Sequence, residues 1–137
     1  MTVTTWEHPG TPVAAREARG FVAKAMAAHP NVEDMVLVVS ELVTNATQHS
    51  RSGVAPDGRV KVVLTEVGTH VRLTVIDNGT PSGGGLRARV PKPQDECGRG
   101  LILVEALTDR WGEEWPGSSR IVWAEWGPII LGFTSTG

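Results

Sequence analysis

One change of rhythm constrains this chain more than any other feature: apolar residues recur at helical spacing through its first third and at strand spacing from residue 59 onward. Thr11 as N-cap with Pro12 at the first helical position predicts a helix over residues 11–28, with Ala14, Ala18, Phe21, Val22 and Ala25 on its apolar face. His29-Pro30 stops it, and Asn31 opens a second helix to about residue 50, with Glu33 and Asp34 at the positive end of its dipole. Met35, Val38, Val39, Leu42 and Ala46 form the buried face of that helix. From Arg59 the period becomes two: Val60, Val62 and Leu64 share one face of a strand, and beyond a turn at Gly68 the alternation resumes with Val71, Leu73 and Val75, as in a hairpin. Two amphipathic helices and a one-sided hairpin can bury their apolar faces only against each other.

The remaining stretches fill in that frame. Residues 2–8 predict an edge strand ended by Pro9-Gly10, residues 101–107 a short apolar helix, and residues 110–115 and 120–126 two strands joined by Pro116-Gly117-Ser118-Ser119. Residues 79–98 are rich in Gly and Pro without periodicity, and a loop of that length in a compact domain points to a lid or binding loop. The order implies an α+β fold, with three helices on one face of a mainly antiparallel mixed sheet, and 137 residues imply one domain over 1–137.

Composition removes several functions. A net charge of −2 offers no footprint for nucleic acid. The apolar runs fall far short of the roughly 20 residues that cross a bilayer. The absence of a leader and the lone Cys97, which cannot form an internal disulfide, predict a cytoplasmic protein. Four of the five Trp, at 111, 115, 123 and 126, lie along the last hairpin; core packing is expected, whereas an exposed Trp126 would mark a partner surface.

Three stretches carry candidate chemistry. Glu41 and Asn45 are four apart on the margin of the second helix, with Gln48 and His49 extending the stripe; carboxylate and carboxamide oxygens there suit Mg²⁺, though an ordinary solvated face would read the same. Asp77 continues the parity of Val71, Leu73 and Val75, so its carboxylate points inward, where an adenine amino group would satisfy it, and Gly79 would let a flat ring approach; an Asp-Asn-Gly turn is the alternative. Gly98-Arg99-Gly100-Leu101 stands at the predicted helix start, where free backbone N–H groups favour phosphate, or serves as a hinge.

Together these stretches resemble the motif set of the histidine-kinase-like (GHKL) ATPase superfamily: Glu41-Leu-Val-Thr-Asn45-Ala resembles its N box, Asp77-Asn-Gly79-Thr-Pro its first glycine box and Gly98-Arg-Gly100-Leu its second. Within it, Glu41-Leu-Val-Thr-Asn45-Ala-Thr-Gln-His49 and Gly98-Arg-Gly-Leu-Ile-Leu-Val104 look like the anti-sigma-factor serine/threonine kinases of bacteria. The resemblance implies a two-layer Bergerat-type sandwich that binds ATP and Mg²⁺. By the same analogy Asp77 would hold the adenine amino group, Asn45 with Glu41 the metal, and Gly79, Gly98, Arg99, Gly100, Leu101 and His49 the rest of the nucleotide, with Glu41 as general base. It further implies phosphorylation of a small anti-anti-sigma (STAS-type) partner, binding of a sigma factor and a homodimer. A nucleotide-gated binding module without phosphotransfer is the competing reading; a detached sensor-kinase domain is a weaker one. Relatives carry a Lys-Thr pair where this chain has Arg120-Ile121, which predicts a missing hydroxyl near the adenine, and Cys97 stands where a small residue is common.

Overall fold

The computed structural model describes residues 1–49, 58–77, 94–117 and 119–129, with the backbone alone at residues 48–49 and 94–100. The elements follow in the order β1 (Thr2–Pro9), α1 (Ala14–Ala25), α2 (Val32–His49), β2 (Arg59–Val67), β3 (His70–Asp77), α3 (Gln94–Leu107), β4 (Arg110–Glu114) and β5 (Arg120–Trp126). The sheet order is β1-β2-β3-β5-β4, with all four pairings antiparallel; no parallel pair occurs among the described strands. The three helices cover one face of this sheet, so the architecture is the expected two-layer α+β sandwich. None of the described helices is long and apolar enough to cross a membrane.

Strand parity decides what faces the helices. Val60, Val62 and Leu64 of β2, Val71, Leu73 and Val75 of β3, and Val122, Ala124 and Trp126 of β5 are all buried in one cluster with Met35, Val38, Val39, Leu42, Val43 and Ala46 of α2. Ala14, Ala18 and Val22 bring α1 into the same core, and Trp6 of β1 stacks on Phe21 of α1 with centroids 6.2 Å apart. Trp126 is 2% exposed, and its indole Nε1 donates to the Leu107 carbonyl at 2.8 Å, so it is a core residue that pins the end of α3.

Three helix boundaries differ from the sequence reading. α1 begins at Ala14 behind Val13, not at Thr11-Pro12, because Ala14 donates to the Thr11 carbonyl at 2.9 Å and closes a tight turn before helical bonding starts. It ends at Ala25, since Met26 leaves helical geometry (φ −112°, ψ 25°) and the chain turns toward Pro30. α3 starts seven residues before Leu101, at Gln94: Pro93 precedes it as a natural helix opener, Asp95 and Glu96 complement the dipole, and these outweigh the low propensity of Gly98 and Gly100.

The second face of the sheet is built from different forces. Arg72, Glu125 and Arg110 lie in one cross-strand row over β3, β5 and β4. Glu125 accepts from Arg72 Nε at 2.7 Å and from Arg110 Nε at 2.9 Å, so one carboxylate ties three strands. The Arg72 guanidinium lies 4.4 Å from the Trp123 ring, whose indole in turn fills the space over Gly112. A Cβ at Gly112 would sit 2.5 Å from Trp123 Cζ2. Gly112→Ala should therefore lower stability by about 1–3 kcal/mol, read as a reduced midpoint in urea unfolding at unchanged slope.

Burial holds the His70 imidazole below its ordinary value of 6.5, against an upward pull from Glu125, whose Oε2 lies 3.7 Å from His70 Nε2. Burial pushes Glu125 the other way, but its bonds to Arg110 and Arg72 prevail and hold the carboxyl below the ordinary carboxylate value. The signs give two windows. Below pH 6.5 the unfolded His70 binds a proton that the folded one refuses, so stability falls as pH drops; the Glu125 contribution is present above its ordinary value and is lost as pH falls through the lowered one. Urea unfolding between pH 7 and 5 should show declining stability in the native protein and a flatter profile in His70→Gln.

Candidate functional site

A cavity of about 460 Å³ establishes which ends of the elements coincide, because Asn31, at the start of α2, lines it together with Gly68 and Thr69, ahead of β3. α2 and β3 therefore leave the same end of the sandwich. Asn45 lies 14 residues along the helix, about 21 Å at 1.5 Å per residue. Asp77 lies 8 residues along the strand from Thr69, about 27 Å at 3.4 Å per residue. Both reach the end opposite the cavity. The bond from Trp126 to Leu107 fixes the C-terminal end of α3 beside the start of β3, since Trp126 is in register with Val71, so the first half of α3 extends away from the cavity end.

Asp77 is the last residue of the central strand and only 4% exposed, on the helix-facing side as its parity predicts. It is directly opposite Val60 on one neighbour and Arg120 on the other. A carboxylate in that setting requires hydrogen-bond donors, which is what a purine amino group supplies.

Ile121 is in register with Ile76 and so points to the other face of the sheet. The expected loss of a hydroxyl near the adenine through Ile121 is thus corrected: Arg120 is the residue beside Asp77. Its Nε donates to Glu113 Oε2 at 2.5 Å, and its guanidinium carbon lies 5.5 Å from the Trp115 ring. Sequence reading assigned no role to Arg120, Glu113 or Trp115; the signal available was register, which needs the pairing of β3 with β5.

On α2, Asn45 is 9% exposed and Glu41 half-buried, so the pair borders the core and is not a fully solvated face. Arg19 of α1 donates to Ser40 at 2.9 Å, which fixes the helix next to Glu41. The helix start at Gln94 changes the third motif: Gly98 and Gly100 lie inside α3, where backbone N–H groups bond to the preceding turn, and not at its opening, where they would be free. Leu101 is half-buried. Gly79 and most of the expected lid fall outside the described residues, as do the side chains of His49, Arg99 and Cys97. Among the described residues, no group of three or more His, Cys, Asp or Glu converges on a metal position. Glu41 and Asn45 instead offer the small set of oxygen donors that Mg²⁺ takes alongside water and phosphate.

A central strand ending in a buried carboxylate, on the helix-facing side of a sandwich whose covering helix carries a Glu/Asn pair toward the same end, defines a nucleotide-binding α/β sandwich. The model of the histidine kinase-like ATPase domain matches residues 8–126, and the chain belongs to that family, an ATP-binding one. It is similar to the serine-protein kinase RsbW of Listeria monocytogenes serovar 1/2a, with 29% identity over 99 residues covering 66% of this chain and 62% of the relative. RsbW of serotype 4a is 28% identical with the same coverage. The matched stretch thus spans less than two thirds of these relatives. The crystal structure of the RsbU and RsbW domains of a Mycobacterium tuberculosis protein superposes with a TM-score of 0.67 at 24% identity, covering 92% of this chain and 32% of that one, and shares the fold.

Proposed function

We propose that this chain, as one domain over 1–137, is a cytoplasmic protein serine/threonine kinase of the anti-sigma-factor type. It transfers the γ-phosphate of ATP to a hydroxyl of a small STAS-type anti-anti-sigma protein, and it also binds a sigma factor and acts as a homodimer. The observation that carries the reading is the buried Asp77 at the strand end toward which α2 brings Glu41 and Asn45. The RsbW relatives support it.

In this reading Asp77 accepts the exocyclic amino group of adenine, which fixes the base and hence the direction of the phosphates. Asn45 and Glu41 hold Mg²⁺, which would neutralise phosphate charge. Glu41 orients the attacking hydroxyl and accepts its proton; phosphoryl transfer rests chiefly on positioning and charge stabilisation, so a half-buried carboxylate suffices. Gly79, Gly98, Arg99, Gly100 and Leu101 enclose the phosphates, and His49 lines the site.

One observation favours a second reading, a nucleotide-gated module that sequesters its partner without phosphotransfer. With α3 continuous from Gln94, the amides of Gly98 and Gly100 can meet phosphate only if its first turns unwind, which would couple nucleotide binding to a change of surface. Labelled γ-phosphate distinguishes the two, because only a kinase leaves label on the partner.

Mg·ATP at about a hundred times its dissociation constant should add roughly 2.7 kcal/mol to stability and raise the thermal midpoint by several degrees. Asp77→Asn should lose that shift. Glu41→Ala should keep ATP binding near the native level and abolish transfer to the partner; transfer at the native rate would remove Glu41 from the assigned role.

A further inference from the structure

Val60, Asp77 and Arg120 form one cross-strand row at the end of the sheet, and the chain beyond β4 adds the Trp115 ring beside Arg120. Directly opposed residues of antiparallel strands point to the same face with Cβ atoms about 4.5–5.5 Å apart. The row thus sets an acceptor, the Asp77 carboxylate, next to a donor, the Arg120 guanidinium, on the side that the helices cover.

Arg120 is also held still. Its side chain is 14% exposed, its Nε is engaged by Glu113 at 2.5 Å, and Trp115 lies along it. Glu113 belongs to the same face of β4, in register with Val122. A guanidinium carries five N–H donors in a rigid fork, and engaging Nε leaves the four of the terminal nitrogens as the ones a ligand would meet. The carboxylate of Glu113 offsets the positive charge, so the fork acts as a directional donor and not as a general attractor of anions.

We propose that Arg120 is a specificity-determining residue of the nucleotide site and reads the purine edge together with Asp77. The proposal rests on the reading that Asp77 accepts the 6-amino group of adenine. That amino group is flanked by two ring acceptors, N1 and N7. A carboxylate alone accepts from any exocyclic amino group, whereas an acceptor with a fixed donor at its side selects an amino group with a ring nitrogen next to it. Arg120 supplies the hydrogen bond to that ring nitrogen, and Glu113 positions it.

The test measures dissociation constants by titration calorimetry for ATP, 1-deaza-ATP and 7-deaza-ATP, in Mg²⁺, on the full chain. The native protein should bind one of the two deaza analogues roughly 10- to 100-fold more weakly than ATP, the range for a hydrogen bond from a charged donor. Arg120→Met should weaken ATP by a similar factor and bind ATP and that analogue alike, and Glu113→Gln should narrow the difference at least about threefold. Native binding of all three nucleotides within about twofold would overturn the proposal, as would Arg120→Met that keeps the discrimination. If Arg120→Met does not fold, an unchanged discrimination in Glu113→Gln overturns it as well. Asp77→Asn separates the two levels: unchanged ATP affinity in that variant removes the purine from Asp77 and with it the reading beneath, whereas weakened ATP affinity with no deaza discrimination in the native protein removes only the role of Arg120.

Discussion

The structure depends on the burial of one face of the sheet beneath α2. Met35, Val38, Val39, Leu42, Val43 and Ala46 close over Leu64, Leu73 and their neighbours, and every one of these residues is at most 2% exposed. Burying a side chain of this kind contributes about 1.5–3 kcal/mol, so this one interface outweighs any single polar contact in the molecule. It also fixes α2 lengthwise on β3, and that alignment carries Asn45 and Asp77 to the same end of the sandwich.

The two faces of the sheet are held by unlike forces. The inner face is apolar until it reaches Asp77, where a strand-end carboxylate interrupts it; the outer face is tied by Glu125 between Arg72 and Arg110, with Arg72 stacked on Trp123. The outer network fixes the register of β3 against β5 and of β5 against β4 through side chains as well as backbone. That register is what makes Arg120 the neighbour of Asp77. Side chains on one face of the sheet thus set which residues meet on the other, and a one-residue slip would bring Ile121 to Asp77 and reverse the face of every residue in β5.

Local periodicity made much of this legible. The inward aim of Asp77 followed from the parity of Val71, Leu73 and Val75, and the half-buried margin of α2 followed from the spacing of its apolar residues. The edge strand, both hairpins and the opposite facing of Trp123 and Trp126 were legible for the same reason: alternation survives any tertiary context that keeps the strand. Helix ends were less so. Thr11 and Pro12 carry the composition of a helix start but close a turn instead, and Gly98 and Gly100 carry the composition of a break but lie within a helix, because propensities of about 1 kcal/mol per residue yield to neighbours and packing.

What the chain dictates unaided is which face of each element is apolar and which polar residues stand at the margin, since those depend only on spacing along one helix or one strand. Which of those margins meet is a matter of pairing between distant segments: the order β1-β2-β3-β5-β4, the register that sets Arg120 and not Ile121 against Asp77, and the lock of Glu113 on Arg120. The physical reason is that alternation repeats every two residues and is equally satisfied by several registers and strand orders. Only the simultaneous burial of the whole inner face and the pairing of charges on the outer one selects among them.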